Sequence, residues 1–195
     1  MEGFREQMSQ IPFGTSSNHD MSGSIADSPL YKLINPDSIA FFCASNNFGS
    51  MGTSQLASLI NLGFQGHIYP VHPKEPIVLG LKAYKSVADL PETPDLAVIV
   101  LPTRIVLDTI MQCGEKGIKN AIVVSGGFRE VGAKGRDLEQ ALIQSAHRYG
   151  MRFLGPNCLG VANPQHKLNT TFLPYRGKAG FIGMVSQSGS FITQM

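Results

Sequence analysis

The sequence predicts an α/β protein built on an open, doubly wound parallel sheet, and three observations support this prediction. Short apolar segments alternate along the chain with longer segments of helical periodicity. The apolar segments are apolar at nearly every position, as expected for parallel strands covered on both faces. A glycine follows each long helical segment, where a left-handed residue commonly ends a helix. Ligands of such sheets bind at the carboxyl ends of the strands.

The elements can be assigned in order along the chain. A short first helix over residues 28–34 has Ser28 as its N-cap and Pro29 at its first position, and residues 35–37 turn into the first strand. Strands are predicted at residues 39–44, 67–71, 96–101, 120–125 and 151–154, and the run Leu96 to Leu101 is the clearest. Helices are predicted at residues 53–62, 104–116 and 134–149, ended by Gly63, Gly117 and Gly150.

Composition divides the chain into three parts. Residues 1–27 are rich in Ser, Gly, Asn and Gln and are predicted to be a disordered leader. Residues 28–162 hold the alternating elements and form one domain. Residues 163–178 are polar and are expected to be irregular, so that 163–195 is a linker followed by a new unit. A sixth strand at 181–185 runs into a Ser/Gly turn and the start of a helix, which we expect to open a second, truncated α/β domain.

The bulk properties exclude several classes of protein. A formal net charge of +2 gives no support for a nucleic-acid partner. The three cysteines lack paired or metal-type spacing, and with no secretory signal they indicate a reduced, cytoplasmic protein. No apolar run approaches the ~20 residues needed to span a membrane. The five histidines form no visible triad or metal-ligand pattern, so we predict neither a catalytic residue nor a metal site in this chain.

The most informative segment runs from Ser38 to Lys74, where strand, turn, helix and strand follow one another. Such a unit places phosphate on a helix N-terminus. The turn departs from the dinucleotide pattern G-x-G-x-x-G, because Ala44 replaces its first glycine while Gly49 and Gly52 are present. This motif alone is weak evidence, so the nature of the ligand depends on the end of the second strand.

A lysine lies at the end of that second strand, in the region where NAD enzymes place an acid. Lys74 suits a phosphate and cannot accept hydrogen bonds from a ribose diol. The ligand is therefore expected to carry a phosphorylated ribose, as NADP and coenzyme A do. A solvated loop lysine without a ligand explains Lys74 about equally well.

Further loops follow the other strands. Residues 101–103 follow the third strand, where Pro102 has the ordinary role of a helix-start proline. The Gly126-Gly127 pair permits close approach to a ligand or simply forms a tight turn. Cys158 could lie near a substrate thiol, although a structural role is commoner. Residues 186–189 place hydroxyls and free N–H groups at a helix start, which makes an anion site or only a helix cap.

Taken in order, these residues resemble a known family, the nucleoside-diphosphate-forming acyl-CoA synthetases such as ADP-forming acetyl-CoA synthetase. The α subunit of succinyl-CoA synthetase is similar at a greater distance. The resemblance covers about residues 28–195. Its motifs, in order, are Ser38-Ile39-Ala40, Ala44-Ser45, Gly49-Ser50, Gly52, Tyr69-Pro70-Val71, Pro73-Lys74, the run from Leu79 to Tyr84, the run from Asp95 to Ile99, Gly126-Gly127-Phe128, the run from Leu154 to Gly160, and the run from Val185 to Gly189.

The resemblance implies a Rossmann-like domain that binds coenzyme A (CoA). The family reaction converts acyl-CoA, ADP and phosphate to acid, ATP and CoA through a phosphohistidine, which matches no histidine here. Its ATP-grasp part, with Mg-ADP or Mg-ATP, is absent from this sequence. The implied CoA-binding residues are Ser45, Asn46, Phe48, Gly49, Ser50, Gly52, Pro73, Lys74, Leu101, Pro102, Thr103, Ser125, Gly126, Gly127, Asn157 and Cys158. The implied phosphate-binding residues are Ser186, Gln187, Ser188 and Gly189.

Other functions stay open at this point. The same domain could be the CoA-sensing part of a regulatory protein, for instance one fused to a lysine acetyltransferase. An NADP-dependent oxidoreductase is disfavoured by Ala44 and by the lack of recognisable catalytic residues. For the synthetase, the expected partners are CoA and an ATP-grasp domain or subunit, with an oligomer in the full-length enzyme and no nucleic acid or membrane.

Overall fold

A computed structural model describes residues 24–174 and 178–193. The strands are β1 (Ser38–Phe42), β2 (His67–Val71), β3 (Ile77–Val78), β4 (Leu81–Lys82), β5 (Leu96–Ile99), β6 (Asn120–Val123), β7 (Arg152–Leu154), β8 (Ala162–Asn163) and β9 (Leu168–Asn169). The α-helices are α1 (Tyr31–Ile34), α2 (Met51–Leu62), α3 (Thr103–Lys116), α4 (Ala133–Arg148) and α5 (Gly189–Ile192). Short 3-10 helices occupy Ile25–Asp27, Arg129–Val131 and Pro164–His166.

The predicted doubly wound sheet is confirmed. Five strands pair in the order β2-β1-β5-β6-β7, and each neighbouring pair is parallel. The chain adds β2 on one side of β1 and then returns to add β5 on the other side. This change of direction between β1 and β5 opens a crevice outside their carboxyl ends, which is where ligands of such sheets bind.

Two apolar clusters cover the two faces of the sheet. On one face Phe41 of β1 belongs to a buried cluster with Leu56 of α2. On the other face Phe42 belongs to a cluster with Val106 and Ile110 of α3. Burying one such side chain fully contributes about 1.5–3 kcal/mol. Because neighbouring residues of each central strand face opposite clusters, nearly every position is apolar, and this explains the apolar runs in the sequence. The buried exceptions are Ser38 and Asn120, the first residues of β1 and β6.

The predicted ends of the elements differ from the observed ones by one or two residues. Residue 43 was predicted to lie in the first strand, but β1 ends at Phe42 because Cys43 takes a left-handed φ of 72°. Helix α2 starts two residues earlier than predicted, because the Ser50 side chain accepts a hydrogen bond from the Thr53 N–H and caps it. The glycine stops at Gly63 and Gly117 are confirmed, since these C-cap residues have φ of 80° and 96°. The third long helix ends at Arg148 with Tyr149 as its C-cap, and Gly150 follows in the left-handed region at a φ of 61°.

The predicted cap of the first helix is wrong. Helix α1 covers only Tyr31–Ile34, and its N-cap is Leu30, which makes no side-chain hydrogen bond there. The hydroxyl of Ser28 instead accepts a hydrogen bond from the Leu30 N–H within the preceding turn. Ser28 and Pro29 therefore form the turn before the helix rather than its first residues.

The C-terminal part also departs from the prediction. No strand forms over residues 181–185, and the side chains of Phe181 and Val185 are almost fully exposed, because no neighbouring strand pairs with them within the described ranges. Residues 163–174, expected to be irregular, contribute to the β8–β9 hairpin, whose Leu168 is buried with Leu56. A helix does start after the Ser/Gly turn, as predicted. The predicted leader lies largely outside the described residues.

The sequence analysis did not detect the β3–β4 hairpin. These two-residue strands pair antiparallel around Leu79 and Gly80, which both have positive φ. The chain after the hairpin lies along β2, where the Tyr84 N–H donates to the Pro70 carbonyl at 2.9 Å. The hairpin and this segment therefore protect the edge strand β2. Among the helices of the described residues, none is long and apolar enough to cross a membrane.

An ion pair between Arg129 and Glu139 joins α4 to the loop after β6. Hydrogen bonds from Arg129 lower the pKa of the Glu139 carboxyl, although its burial acts in the opposite direction. A lowered pKa contributes stability above the group's ordinary pKa, and this stability is lost as the pH falls through the folded-state value. We expect Glu139→Gln to lower the Tm by about 2–4 °C at pH 7, with a smaller difference at acidic pH, measured by calorimetry.

The matched control is Glu115→Gln, which changes an exposed carboxylate on α3. We expect this variant to unfold like the wild type at both pH values. A Tm difference for Glu139→Gln that stays constant as the pH falls would contradict the role assigned to the ion pair.

Candidate functional site

The turn between β1 and α2 presents backbone N–H groups at the carboxyl edge of the sheet. Gly52 is buried, and a Cβ at this position would lie 2.6 Å from the Cys43 carbonyl oxygen, so the turn requires glycine here. In the first turn of α2, the N–H groups of Met51 and Gly52 donate no hydrogen bond to any of the described residues. The positive end of the helix dipole lies at the same place. This turn can therefore hold an anion.

A buried hydroxyl that the sequence analysis missed holds the turn in shape. The hydroxyl of Thr53 donates to the Ser45 carbonyl and accepts from the Ser45 N–H, each at 3.0 Å. It also lies 2.7 Å from the Ser50 hydroxyl. Thr53 itself is fully buried, so it supports the predicted residues of the turn instead of meeting a ligand. The sequence contained one signal for this role of Thr53: it lies three residues after Ser50, the spacing of a helix N-cap and the residue whose N–H it binds.

The loop after β2 is joined to this turn by Asn46. The Asn46 backbone N–H donates to Glu75 Oε2 at 3.1 Å, and its side-chain N–H donates to the same oxygen. The Asn46 amide also donates to the Ile77 carbonyl at 2.9 Å and accepts from the Leu79 N–H at 3.0 Å. The loop after β2 and the turn after β1 are therefore held together by the hydrogen bonds of Asn46.

His72 shapes the loop that carries the predicted lysine. Its Nδ1 accepts hydrogen bonds from the N–H groups of Lys74, at 3.3 Å, and Glu75, at 2.9 Å. Pro73 and Lys74 are exposed at the end of β2, as the sequence predicts. The exposed side chains of Phe48, in the turn, and of Ile77, in the loop, add apolar surface around them. A phosphate near Lys74 would thus lie between a cation and an apolar rim.

The loops after β5 and β6 are joined by two short hydrogen bonds. The Thr103 hydroxyl donates to the Gly126 carbonyl at 2.6 Å, and the Ser125 hydroxyl donates to the Leu101 carbonyl at 2.6 Å. A Cβ on Gly127, whose φ is 94°, would lie 2.4 Å from the Thr103 hydroxyl. Pro102 is the N-cap of α3 rather than its first residue. The predicted residues of these two loops therefore lie together.

The loop after β7 lies beside the loop after β6, so that the loops after β5, β6 and β7 form a row. The Asn157 N–H donates to the Ser125 carbonyl at 2.9 Å, with Asn157 at a positive φ of 56°. The Cys158 thiol donates to the Val123 carbonyl at 3.4 Å. Burial raises the pKa of this thiol, although backbone N–H groups act weakly in the other direction. Cys158 also packs against the apolar cluster that contains Phe41 and Leu56, so its place is explained by packing, and the raised pKa disfavours the thiolate that a nucleophile requires.

The Ser/Gly turn near the C-terminus lies close to the same loop. A Cβ at Gly189 would lie 3.6 Å from the Leu159 side chain. Ser188 caps α5 by accepting a hydrogen bond from the Phe191 N–H at 3.3 Å, and the Ser188 N–H donates to the Ser186 hydroxyl at 3.1 Å. Residues 186–189 are exposed. Gln55 of α2 donates to the Leu159 carbonyl at 3.4 Å and so connects the first turn to this loop.

The predicted CoA-binding residues thus lie along the carboxyl edge, divided between the β1 turn with the β2 loop and the row of loops after β5, β6 and β7. A depression at the opposite edge is lined in part by Asp37, His67 and His166. It lies at the amino ends of β1 and β2, where parallel sheets do not bind ligands. Within residues 24–174 and 178–193, no group of three or more His, Cys, Asp or Glu could hold a metal ion.

Fold and site together define a Rossmann-like α/β unit whose first turn has free N–H groups that can hold an anion and whose second strand is followed by a lysine. A family model described as "CoA binding domain" matches residues 37–164, which contain both halves of the site. The chain belongs to this CoA-binding domain family.

Similar proteins are larger CoA ligases. The chain is 44% identical over 168 residues to the 4-hydroxybutyrate–CoA ligase [ADP-forming] of Nitrosopumilus maritimus, a match that covers 85% of this chain and 24% of that protein. It is 43% identical to the acetate–CoA ligase [ADP-forming] II subunit alpha of Pyrococcus furiosus, covering 81% of this chain and 34% of that subunit.

A solved structure matches over the same part. It is the dinucleotide forming acetyl-coenzyme A synthetase 1 of Ca. Korarchaeum cryptofilum in complex with phosphate and ADP. The TM-score is 0.81 at 41% identity, covering 85% of this chain and 35% of that one. The chain therefore spans only a quarter to a third of the relatives named here.

Proposed function

We propose that the chain binds CoA along the carboxyl edge of its sheet. The observation that carries the proposal is the family match over residues 37–164, within which the site residues converge. The nucleotide part of CoA lies on the β1 turn, at Ser45, Asn46, Phe48, Gly49, Ser50 and Gly52. Pro73 and Lys74 meet its phosphates. The pantetheine arm follows the row from Leu101, Pro102 and Thr103 to Ser125, Gly126 and Gly127, with its thiol near Asn157 and Cys158.

The charges at the end of β2 favour CoA over NAD. NAD presents a ribose with two hydroxyls and no phosphate, so it offers no partner to Lys74. One carboxylate oxygen of Glu75 accepts two hydrogen bonds from Asn46, which leaves its other oxygen for a single ribose hydroxyl. The neighbouring Lys74 is exposed and offers three donors to a phosphate. A ribose that carries a phosphate fits this edge better than a free diol does.

Hydrogen–deuterium exchange tests the placement of the ligand. Addition of CoA is expected to protect the backbone N–H groups of residues 45–52, of Leu101 and Thr103, and of residues 125–127, because the bound ligand shields them. The backbone N–H groups around His67, in the depression at the amino edge, serve as the internal control, and CoA is expected to leave their exchange rates unchanged. Protection confined to that depression would place the ligand elsewhere and contradict the proposal.

We further propose that the complete protein is an ADP-forming acyl-CoA ligase, which converts acyl-CoA, ADP and phosphate to acid, ATP and CoA. This rests on the ligases named above, of which this chain covers the CoA-binding part. In this reading Ser186, Gln187, Ser188 and Gly189 hold phosphate at the start of α5, beside Leu159. The phosphorylated histidine and the ATP-grasp part with Mg-ADP or Mg-ATP lie outside this chain. A regulatory CoA sensor is not favoured, because the relatives are ligases.

An activity measurement separates binding from catalysis. The chain alone, given acetyl-CoA, ADP, Mg²⁺ and phosphate, is expected to form no ATP although it binds CoA, because neither the histidine nor the nucleotide part is present. Addition of an ATP-grasp subunit alone is also expected to give no ATP. Formation of ATP by the isolated chain would contradict this division of labour.

A further inference from the structure

We propose that Glu75 makes this site selective for a ribose whose phosphate is on the 3′-oxygen, as in CoA, over the isomer with a 2′-phosphate. This inference rests on the proposed CoA function and adds a specificity-determining residue to it. Lys74 supplies the attraction for phosphate, and Glu75, the next residue, supplies the repulsion that decides which ribose oxygen can carry it.

The Glu75 carboxylate is fixed in direction by hydrogen bonds. Its Oε2 accepts hydrogen bonds from the backbone and side-chain N–H groups of Asn46 in the β1 turn. Its own backbone N–H donates to His72 Nδ1 at 2.9 Å. Held at both ends, the side chain lies across the gap between the β2 loop and the anion-binding turn, and it is only 32% exposed.

The other carboxylate oxygen of Glu75 is available to a ligand. Glu75 Oε1 lies 4.0 Å from His72 Nε2 and accepts no hydrogen bond from the part of the chain that the structure describes. An ionised carboxylate can only accept hydrogen bonds. Oε1 therefore suits a hydroxyl group and disfavours a phosphate, which would bring two like charges together.

The position of the ribose follows from the fold. In doubly wound α/β sheets with the pyrophosphate on the first helix, an acid at the end of the second strand meets the ribose 2′-oxygen. A 2′-hydroxyl donates to Glu75 Oε1, whereas a 2′-phosphate is repelled by it. The 3′-phosphate of CoA then faces away from the carboxylate and is free to meet Lys74.

The test compares two isomers, adenosine 3′,5′-bisphosphate and adenosine 2′,5′-bisphosphate, by calorimetric titration. We expect the wild type to prefer the 3′,5′ isomer by about tenfold, since a site built around a hydroxyl rejects a group that cannot donate to it. Glu75→Gln keeps the shape and an acceptor for Asn46 but removes the charge, and it is expected to reduce the preference to about twofold or less. This smaller preference should result from tighter binding of the 2′,5′ isomer to the variant.

Two further variants complete the design. Glu92→Gln is the matched control, because Glu92 is exposed and accepts from the Tyr69 hydroxyl at 2.8 Å away from the β1 turn; it should keep the wild-type preference. Glu75→Ala removes both oxygens and should also lose the preference. An unchanged isomer ratio in both Glu75 variants, with CoA still bound, would overturn this inference alone. Failure of the wild type to bind CoA or either bisphosphate would overturn the proposed function and this inference with it.

Discussion

Gly52→Ala is expected to weaken CoA binding at least tenfold and to lower the Tm by about 3–8 °C. A Cβ at this position would lie 2.6 Å from the Cys43 carbonyl oxygen and 3.0 Å from its carbon, and neither backbone atom can rotate away. The turn would have to open where the N–H groups of Met51 and Gly52 are proposed to meet CoA. Calorimetric titration with CoA and thermal unfolding measure the two effects.

Gly49→Ala provides the comparison within the same turn. Gly49 is exposed, and its nearest neighbour to a new Cβ would be the Asn47 side-chain oxygen at 3.2 Å, which can move. We expect this variant to keep most of the stability of the wild type. If Gly52→Ala bound CoA and unfolded like the wild type, the close approach of β1 to α2 would have no role in the site.

Lys74→Ala is expected to weaken CoA roughly tenfold to a hundredfold, because a hydrogen bond to a charged group contributes about 1.5–3 kcal/mol. Dephospho-CoA, which lacks the ribose phosphate, should lose much less affinity. The lysine is exposed, so its removal should leave the fold intact. Titrations of both ligands against both proteins give the difference directly.

Lys85→Ala is the control for Lys74, since Lys85 is another exposed lysine, beyond the β3–β4 hairpin. It should bind both ligands like the wild type. An equal and small loss for CoA and dephospho-CoA in Lys74→Ala would show that Lys74 is a bystander or contacts the pyrophosphate, because a surface charge pair is worth only ~0–1 kcal/mol.

The strands of the sheet could be predicted because the apolar character that burial requires is visible within each strand's own sequence. A strand covered on both faces must be apolar throughout, so Leu96 and its neighbours identify β5 without further information. The helix ends followed from Gly63 and Gly117, which adopt the left-handed conformation. Since carboxyl ends of parallel strands share one edge, the predicted loops had to lie near one another, and hydrogen bonds such as that from Thr103 to Gly126 confirm this for the loops after β5 and β6.

What could not be predicted depends on contacts between distant residues. Glu75 meets Asn46 across 29 positions, and no local pattern signals that pair. The β8–β9 hairpin is ordered because Leu168 is buried with Leu56 of α2, a tertiary contact invisible in a polar segment. Residues 181–185 show the opposite error, since an apolar run does not form a strand without a neighbouring strand. The boundary between the CoA-binding domain and a following unit stays a prediction.

The central claim is that this chain binds CoA, and titration calorimetry with CoA and with NADPH tests it most directly. Both ligands carry an adenosine with a ribose phosphate, so a difference between their affinities cannot come from the general attraction of Lys74 for phosphate. The account predicts saturable one-to-one binding of CoA and much weaker binding of NADPH. Tight binding of NADPH together with no binding of CoA would contradict it.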